Sequence, residues 1–179
     1  MLIVLFNTGM RPGEVKGLKW SYIDRKEMFI RLPADFTKEK APKDIPINRH
    51  VKAVLDSAPR AINHDFVFTY KGSPVRLKGG PSEAFQTACR RARTPYGLKI
   101  KDGIVMKDFR RTFKTNMLKA GVDRVYRDKI VGHSLRGMDI HYIVVGEDDL
   151  HNAMDKFTKW LDSEIKNVDQ HVDKKFQSI

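Results

Sequence analysis

The chain has 179 residues, 41% hydrophobic and 31% charged, which is the composition of one soluble globular domain and too little length for two. No apolar run approaches the ~20 residues of a membrane helix, and Leu2-Ile3-Val4-Leu5-Phe6 is too short for a signal peptide and has no basic lead-in. A formal charge of +12, from 34 Lys+Arg against 22 Asp+Glu, points to a polyanionic partner, most often nucleic acid. The excess is uneven, at +4 over residues 1–50, +11 over 51–130 and −3 over 131–179. The one cysteine, Cys89, excludes an internal disulfide and a multi-cysteine zinc module, and fits a reducing, cytoplasmic setting.

The chain opens inside an apolar run without the polar cap of a helix start, as expected of a domain whose N-terminal lead-in lies outside it. Residues 2–7 read as the end of a buried helix that Thr8-Gly9-Met10 stops. Arg11-Pro12-Gly13-Glu14 starts another, with Pro12 at the first helical position and Glu14 at the third, where a carboxylate reaches back to free N–H groups. Val15, Leu18 and Trp20 give it an apolar side. Met28–Leu32 reads as a strand, Thr37–Lys43 as a basic turn and Asp44–Ile47 as the returning strand. Asn48 caps a helix to about Ser57, and Val67–Tyr70 with Lys71-Gly72-Ser73-Pro74 is a strand and turn. Ser82 to about Thr94 reads as a basic helix with Phe85, Ala88, Cys89 and Ala92 inward. Val105–Ala120 is a long helix with Phe109, Phe113, Met117 and Ala120 on its apolar side, closed by Gly121. Asp123–Val131 is a further helix ended by Gly132, and Leu135–Val145 a short helix and loop. Asp148–Trp160 is amphipathic, with Leu150, Ala153, Met154, Phe157 and Leu161 on one stripe, and a polar, frayed tail follows. The fold class is therefore α+β, mostly α, with one small antiparallel sheet.

Four separated pieces share a logic: Thr8-Gly9-Met10-Arg11-Pro12-Gly13-Glu14, Lys107-Asp108-Phe109-Arg110, Val131-Gly132-His133, and Tyr142 nine residues after His133. In this order and spacing they resemble the catalytic domain of the tyrosine recombinase (phage integrase) family. Its pattern is T-G-x-R-x-x-E, then H/K-x-x-R, then L-G-H, then a tyrosine nine positions on. The resemblance covers residues 1–162, leaves 163–179 as a tail, and implies that the helical DNA-binding domain which precedes the catalytic one in relatives is absent here. It implies attack of the Tyr142 hydroxyl on a DNA phosphodiester, giving a 3′-phosphotyrosine and a free 5′-hydroxyl. The intermediate conserves the bond energy, so neither ATP nor another cofactor is implied.

That chemistry needs fixed positive charge, because the phosphodiester is anionic and a free tyrosine, with a pKa near about 10, is almost wholly protonated at neutrality. Arg11 and Arg110 suit it, being always charged, planar and able to grip two phosphate oxygens. The resemblance selects Arg110 over its neighbour Arg111, which remains a phosphate or structural contact. Glu14 caps its helix or braces Arg11. Lys107 stands where histidine is commoner in the family; it keeps a cationic donor but is a poor proton acceptor, which assigns it to phosphate stabilisation. His133 either donates to the phosphate or accepts the tyrosine proton. The resemblance also implies a hairpin lysine that protonates the leaving 5′ oxygen; Lys38, which follows Thr37, matches it, with Lys40 as the alternative. Lys40 and Lys43 of the hairpin, and Arg90, Arg91 and Arg93 of the basic helix, are candidate phosphate contacts.

Each residue also has a plainer reading as a surface or core side chain. Five other histidines, His50, His64, His141, His151 and His171, form no i, i+4 ligand pair with a carboxylate, and no metal is expected. The expected partners are double-stranded DNA and further protomers, as a tetramer in the full-length synapse, with no membrane. The helix at 148–162 packs on a neighbouring protomer, as the resemblance implies, or on its own core. A DNA-binding remnant without strand exchange and a type IB topoisomerase are the alternative activities.

Overall fold

The chain is described by a computed structural model over residues 1–75, 81–133 and 144–177. Helix α1 (Leu2–Thr8) stops at Gly9, which adopts the left-handed conformation (φ 62°) and returns its N–H to Leu5 O (3.1 Å). Any Cβ there would meet Phe113 Cδ1 at 2.4 Å, so both the backbone angle and the close packing require glycine. Leu2 and Ile3, expected inside, are exposed; of its apolar residues α1 fully buries Val4 and Leu5, together with the polar Asn7 and Thr8. Arg11 is the N-cap of α2 (Pro12–Lys16), and Glu14 accepts the Arg11 N–H (2.8 Å), as the spacing predicts.

Three antiparallel strands follow in the order β1 (Ile23–Asp24), β2 (Phe29–Leu32) and β3 (Lys43–Pro46), with Ile30 opposite Ile45 and Leu32 opposite Lys43. The two-residue β1 is too short to leave an alternation signal in the sequence. Strand β3 begins at Lys43, one residue earlier than expected. Helix α3 (Arg49–Ser57) starts at Asn48, whose Oδ1 accepts the Val51 N–H (3.0 Å). The Asn48 Nδ2 donates to Asn7 Oδ1 (2.9 Å) and Thr158 Oγ1 (3.1 Å). These buried polar groups satisfy one another and tie α1, α3 and the last helix together.

A small hairpin of β4 (Thr69–Tyr70) and β5 (Ser73–Pro74) precedes α4 (Pro81–Arg91). Phe85 and Cys89 are buried, whereas Ala88 and Ala92, expected inward, are exposed. The helix rests on the narrow i, i+4 line, and Ala92 lies beyond its last turn. Helix α5 (Asp108–Lys119) starts at Asp108 instead of Val105, because Asp108 Oδ2 accepts the Val105 N–H (2.8 Å) and holds 105–107 as a turn. Its end is closed by Gly121 N–H to Leu118 O and Val122 N–H to Met117 O, both 2.9 Å. Helix α6 (Arg124–Val131) is capped by Asp123 and ends at left-handed Gly132 (φ 74°).

The final helix, α7 (Glu147–Gln177), places Leu150, Ala153, Met154, Phe157 and Leu161 in the core, so this stripe packs on its own domain. Its backbone stays helical through the segment read as a frayed tail; residues 163–177 contain no Gly or Pro to stop it. The Phe113 and Phe157 rings meet edge-on at 5.0 Å where α5 crosses α7. Phe109, half-buried, sits between Phe6 (6.3 Å) and Phe85 (5.5 Å), joining α1, α4 and α5. Among the described residues no helix is long and apolar enough to cross a membrane.

Candidate active site

Arg110 joins three distant segments. From α5 its Nη1 donates to Gly9 O (2.8 Å) and its Nη2 to Val131 O (2.6 Å), across 101 and 21 residues of sequence. Both carbonyls belong to helix ends, where the α-helical ladder leaves acceptors unfilled. Gly9 leads into Arg11 and Val131 into Gly132-His133, so one half-buried guanidinium brings the arginine box and the histidine box to one place. Burial lowers the Arg110 pKa, the Arg11 charge lowers it further, and Glu14 and Glu39 oppose both. Arginine stays ionised throughout, and the two guanidinium charges form a site for an anion.

An acid of the protein already occupies part of that site. The Arg11 Nη1 donates to Glu39 Oε2 (2.7 Å) and its Nη2 to Glu39 Oε1, while Nη1 also lies 3.4 Å from Glu14 Oε1. Burial opposes the Arg11 charge, but Glu39 and Glu14 outweigh it and hold the pKa above its ordinary value. Burial likewise acts to raise the Glu39 carboxyl, and the Arg11 guanidinium pulls it below the usual range. Two parallel N–H···O bonds to a carboxylate are the geometry that arginine also offers to phosphate.

Lys43 is not on the surface. Its side chain is 1% exposed and that of Glu14 4%, and Nζ donates to Glu14 Oε2 at 2.6 Å. Expected to touch DNA, it is instead an internal brace: β3 alternates inward at Lys43 and Ile45. A Cβ on Gly132 would meet the lysine stem, Cδ, at 2.7 Å. Burial lowers the Lys43 pKa, Glu14 opposes this, and Arg110 and Arg11 add to the lowering. Glu14 therefore both caps α2 and braces Lys43 beneath Arg11.

His133, with a side chain 42% exposed, donates its backbone N–H to Asp128 O (2.8 Å). Its ring Nδ1 lies 3.1 Å from Lys114 Nζ and 3.5 Å from Asp128 Oδ1. Lys114 in turn donates to Asp128 Oδ1 (2.7 Å). Burial, then the Lys114 and Arg110 charges, lower the His133 pKa, and Asp128 opposes them. Glu39, Lys114 and Asp128 are the neighbours that the sequence reading missed. Lys114 and Asp128 had a signal, one lying i+4 from Arg110 on α5 and the other five residues before His133 on α6. Glu39 had none, being one acid in a basic turn.

The remaining candidates lie around this centre. Lys107 is exposed at the N-terminus of α5, one turn before Arg110. Arg111 points outward, its side chain 80% exposed and paired with Asp108 (2.7 Å). Lys38 and Lys40 are exposed in the turn between β2 and β3, flanking Glu39. Arg90 and Arg91 end α4, and Arg93 follows it in a left-handed conformation (φ 52°), all three exposed. Tyr142 and the expected helix from Leu135 lie outside the described residues, save Val144 and Val145. Among the described residues no three His, Cys, Asp or Glu side chains gather as a metal site.

The chain is 33% identical over 97 residues to the shufflon-specific DNA recombinase of Escherichia coli, a match over 52% of this chain and 23% of that protein. The integrase of mycobacterium phage Brujita has a similar fold (TM-score 0.64, 18% identity, 87% of this chain and 50% of the other). So does the Tn1549 transposon integrase in complex with circular intermediate DNA (TM-score 0.57, 20% identity, 85% and 55%). The chain thus spans about a quarter of the curated relative and about half of these structural neighbours. The Phage integrase family matches residues 1–147, a span that takes in the Arg11 loop, the hairpin, α5 and Gly132-His133, and by that match the chain belongs to the phage integrase family.

Proposed function

We propose that the chain is the catalytic domain of a site-specific DNA recombinase that cuts and rejoins strands through a 3′-phosphotyrosyl bond at Tyr142. One observation carries the reading: Arg11, Arg110 and His133, scattered over the sequence, lie close enough for the Arg110 charge to act on and be acted on by the others, with Arg110 bonded to Gly9 and Val131. A scissile phosphate set there receives charge-assisted hydrogen bonds worth about 1.5–3 kcal/mol each, and more where charge grows in the transition state.

The Tyr142 oxygen attacks phosphorus, and the bond to the 5′ oxygen breaks. The phenolic proton passes to water or a phosphate oxygen, and the Lys38 ammonium protonates the departing 5′ oxygen. Lys107 adds a further cationic contact from the α5 N-terminus. A second DNA end reverses the step, so bond energy is conserved without ATP, and the guanidinium charges supply the stabilisation without a metal. Arg90, Arg91, Arg93, Arg111 and Lys40 follow the phosphate backbone of the duplex. Strand exchange needs further protomers, as a tetramer on two duplexes, in the cytoplasm of a bacterial or phage-infected cell.

The test is a denaturing gel after incubation with a nicked duplex. The wild-type chain yields a covalent protein–DNA band, and Tyr142→Phe binds the duplex yet yields none. Adduct persisting in Tyr142→Phe overturns the choice of nucleophile. Binding without adduct in the wild type replaces the reading with a DNA-binding remnant.

A further inference from the structure

We infer that Lys114, held by Asp128, is a positioning residue that fixes the His133 ring in the tautomer with its proton on Nε2; the inference rests on the proposed function for its catalytic meaning but not for its geometry. An ammonium group only donates. With Lys114 Nζ 3.1 Å from His133 Nδ1, that nitrogen presents its lone pair. The competing arrangement, an Nδ1–H donating to Asp128, spans 3.5 Å, beyond the ordinary range of an N–H···O bond. It would also aim the ring N–H at the Lys114 ammonium.

Asp128 is already committed elsewhere. Its Oδ1 accepts from Lys114 at 2.7 Å, and its Oδ2 lies 3.4 Å from Arg124 Nε as an ion pair. Burial acts to raise the Asp128 carboxyl, but Lys114, with Arg124 and His133 adding, holds it below the usual range. The Asp128 main chain fixes the histidine backbone through the 2.8 Å bond from His133 N–H. Side chain and backbone of one residue thus set both the lysine and the loop that carries the ring.

Among the described residues the charged groups facing His133 are Lys114 and Arg110 from α5 and Asp128 from α6, with the Lys43 stem of β3 behind Gly132. Their sum disfavours a second ring proton. At neutral pH the ring therefore carries one N–H, on Nε2, a nitrogen that no described residue engages and that can serve an external acceptor. In the proposed reaction that acceptor is a phosphate oxygen, and the ring is a donor across neutral pH and not the base for Tyr142.

Removing Lys114 reverses the preference. In Lys114→Met the ring faces an Asp128 Oδ1 freed of its lysine, with Arg124 still at Oδ2, so Nδ1–H turns toward Asp128 and a second proton is more easily held. Nitrogen-detected NMR of the His133 ring in the full chain reads this directly. The wild type shows Nε2–H with an unprotonated Nδ1. Lys114→Met shows Nδ1–H and a higher ring pKa. Lys114→Arg, another pure donor, keeps Nε2–H, and Lys114→Met/Asp128→Asn regains it. Adduct formation on the nicked duplex follows: in Lys114→Met it acquires a pH dependence, falling as pH rises through the raised His133 pKa, by up to the about 10²–10³-fold that one lost transition-state donor costs. The wild type shows no such fall.

An Nδ1–H ring in the wild type, or an unchanged tautomer and pH profile in a folded Lys114→Met, overturns the inference. Should that variant fail to fold, the wild-type and Lys114→Arg spectra decide. Absence of adduct in the wild type counts against the proposed function alone, since the tautomer is read without DNA.

Discussion

The Glu39 carboxylate spans both terminal nitrogens of Arg11, the position a scissile phosphate oxygen pair takes in the proposed reaction. In the proposed reaction the two anions compete for one fork, so Glu39 is expected to move away when DNA binds. Since Lys38 is its neighbour in the turn, the movement also reorients the candidate general acid. Glu39→Gln weakens the competitor without altering its shape. It raises affinity for a short nicked duplex by about threefold to tenfold at fixed salt. Glu164→Gln, which removes the same charge from an exposed face of α7, separates the local effect from net charge. Fluorescence anisotropy of the two variants measures this; equal gains would mean that the Arg11 fork is not where phosphate competes.

The Glu14–Lys43 pair makes a stability prediction. Both side chains are almost wholly enclosed; removing Glu14 strands the Lys43 charge, whereas removing Lys43 leaves Glu14 its contacts with Arg11. Breaking a buried pair in this way costs about 3–5 kcal/mol, whereas replacing both by apolar groups of similar volume is near neutral. Glu14→Leu lowers the urea midpoint sharply and Lys43→Met less so, and the double variant recovers the part of the loss due to the stranded lysine charge, the cap on the Arg11 N–H staying lost. A double variant as unstable as the sum of the singles would show that the two charges do not sustain each other.

Arg110 makes a different demand, because its fork serves the protein and the proposed phosphate together. Arg110→Lys keeps the charge but not two directed bonds, so the tie between Gly9 and Val131 is lost. Adduct formation falls by about 10²–10³-fold, while duplex affinity, spread over many cations, changes little. Arg91→Ala, at an exposed helix end, lowers affinity and the salt slope without a separate effect on cleavage of bound DNA. Parallel loss of binding and cleavage in Arg110→Lys would make it an ordinary backbone contact.

These residues show how far the sequence is legible. The capping roles of Pro12, Glu14, Asn48 and Gly132 lie within their own turns, and local capping rules read them correctly. The stripe on α7 is equally plain, because 3.6-residue periodicity needs no knowledge of the partner. Lys43 was misread because a lysine in a basic turn is normally solvated; only the inward register of β3, set by pairing with Leu32, reveals its burial. Arg110 was separable from Arg111 through the family resemblance and the phase of Phe109 and Phe113, but its two carbonyl partners depend on tertiary contacts over long separations. The same holds for Lys114 and Glu39, whose significance lies in what they face across the site.

The choice between Lys38 and Lys40 is settled by chemistry at the leaving group. Both are exposed and flank Glu39, and Lys40 takes a left-handed backbone conformation (φ 55°). A general acid matters because a 5′ alkoxide is a strong base and a poor leaving group. Replacing that oxygen by sulfur removes the need for the proton, since a thiolate has a pKa of only about 8.5 in comparable groups. Lys38→Ala is therefore slow on an ordinary nicked duplex, by the about 10²–10⁴-fold typical of lost acid catalysis, and nearly restored on the 5′-thio substrate. Arg110→Lys gains no such rescue, because its defect is phosphate stabilisation and not proton delivery. Lys40→Ala stays close to wild type on both substrates. Rescue in Lys40→Ala with none in Lys38→Ala would move the acid two residues along the turn, and rescue in neither would remove it from the hairpin.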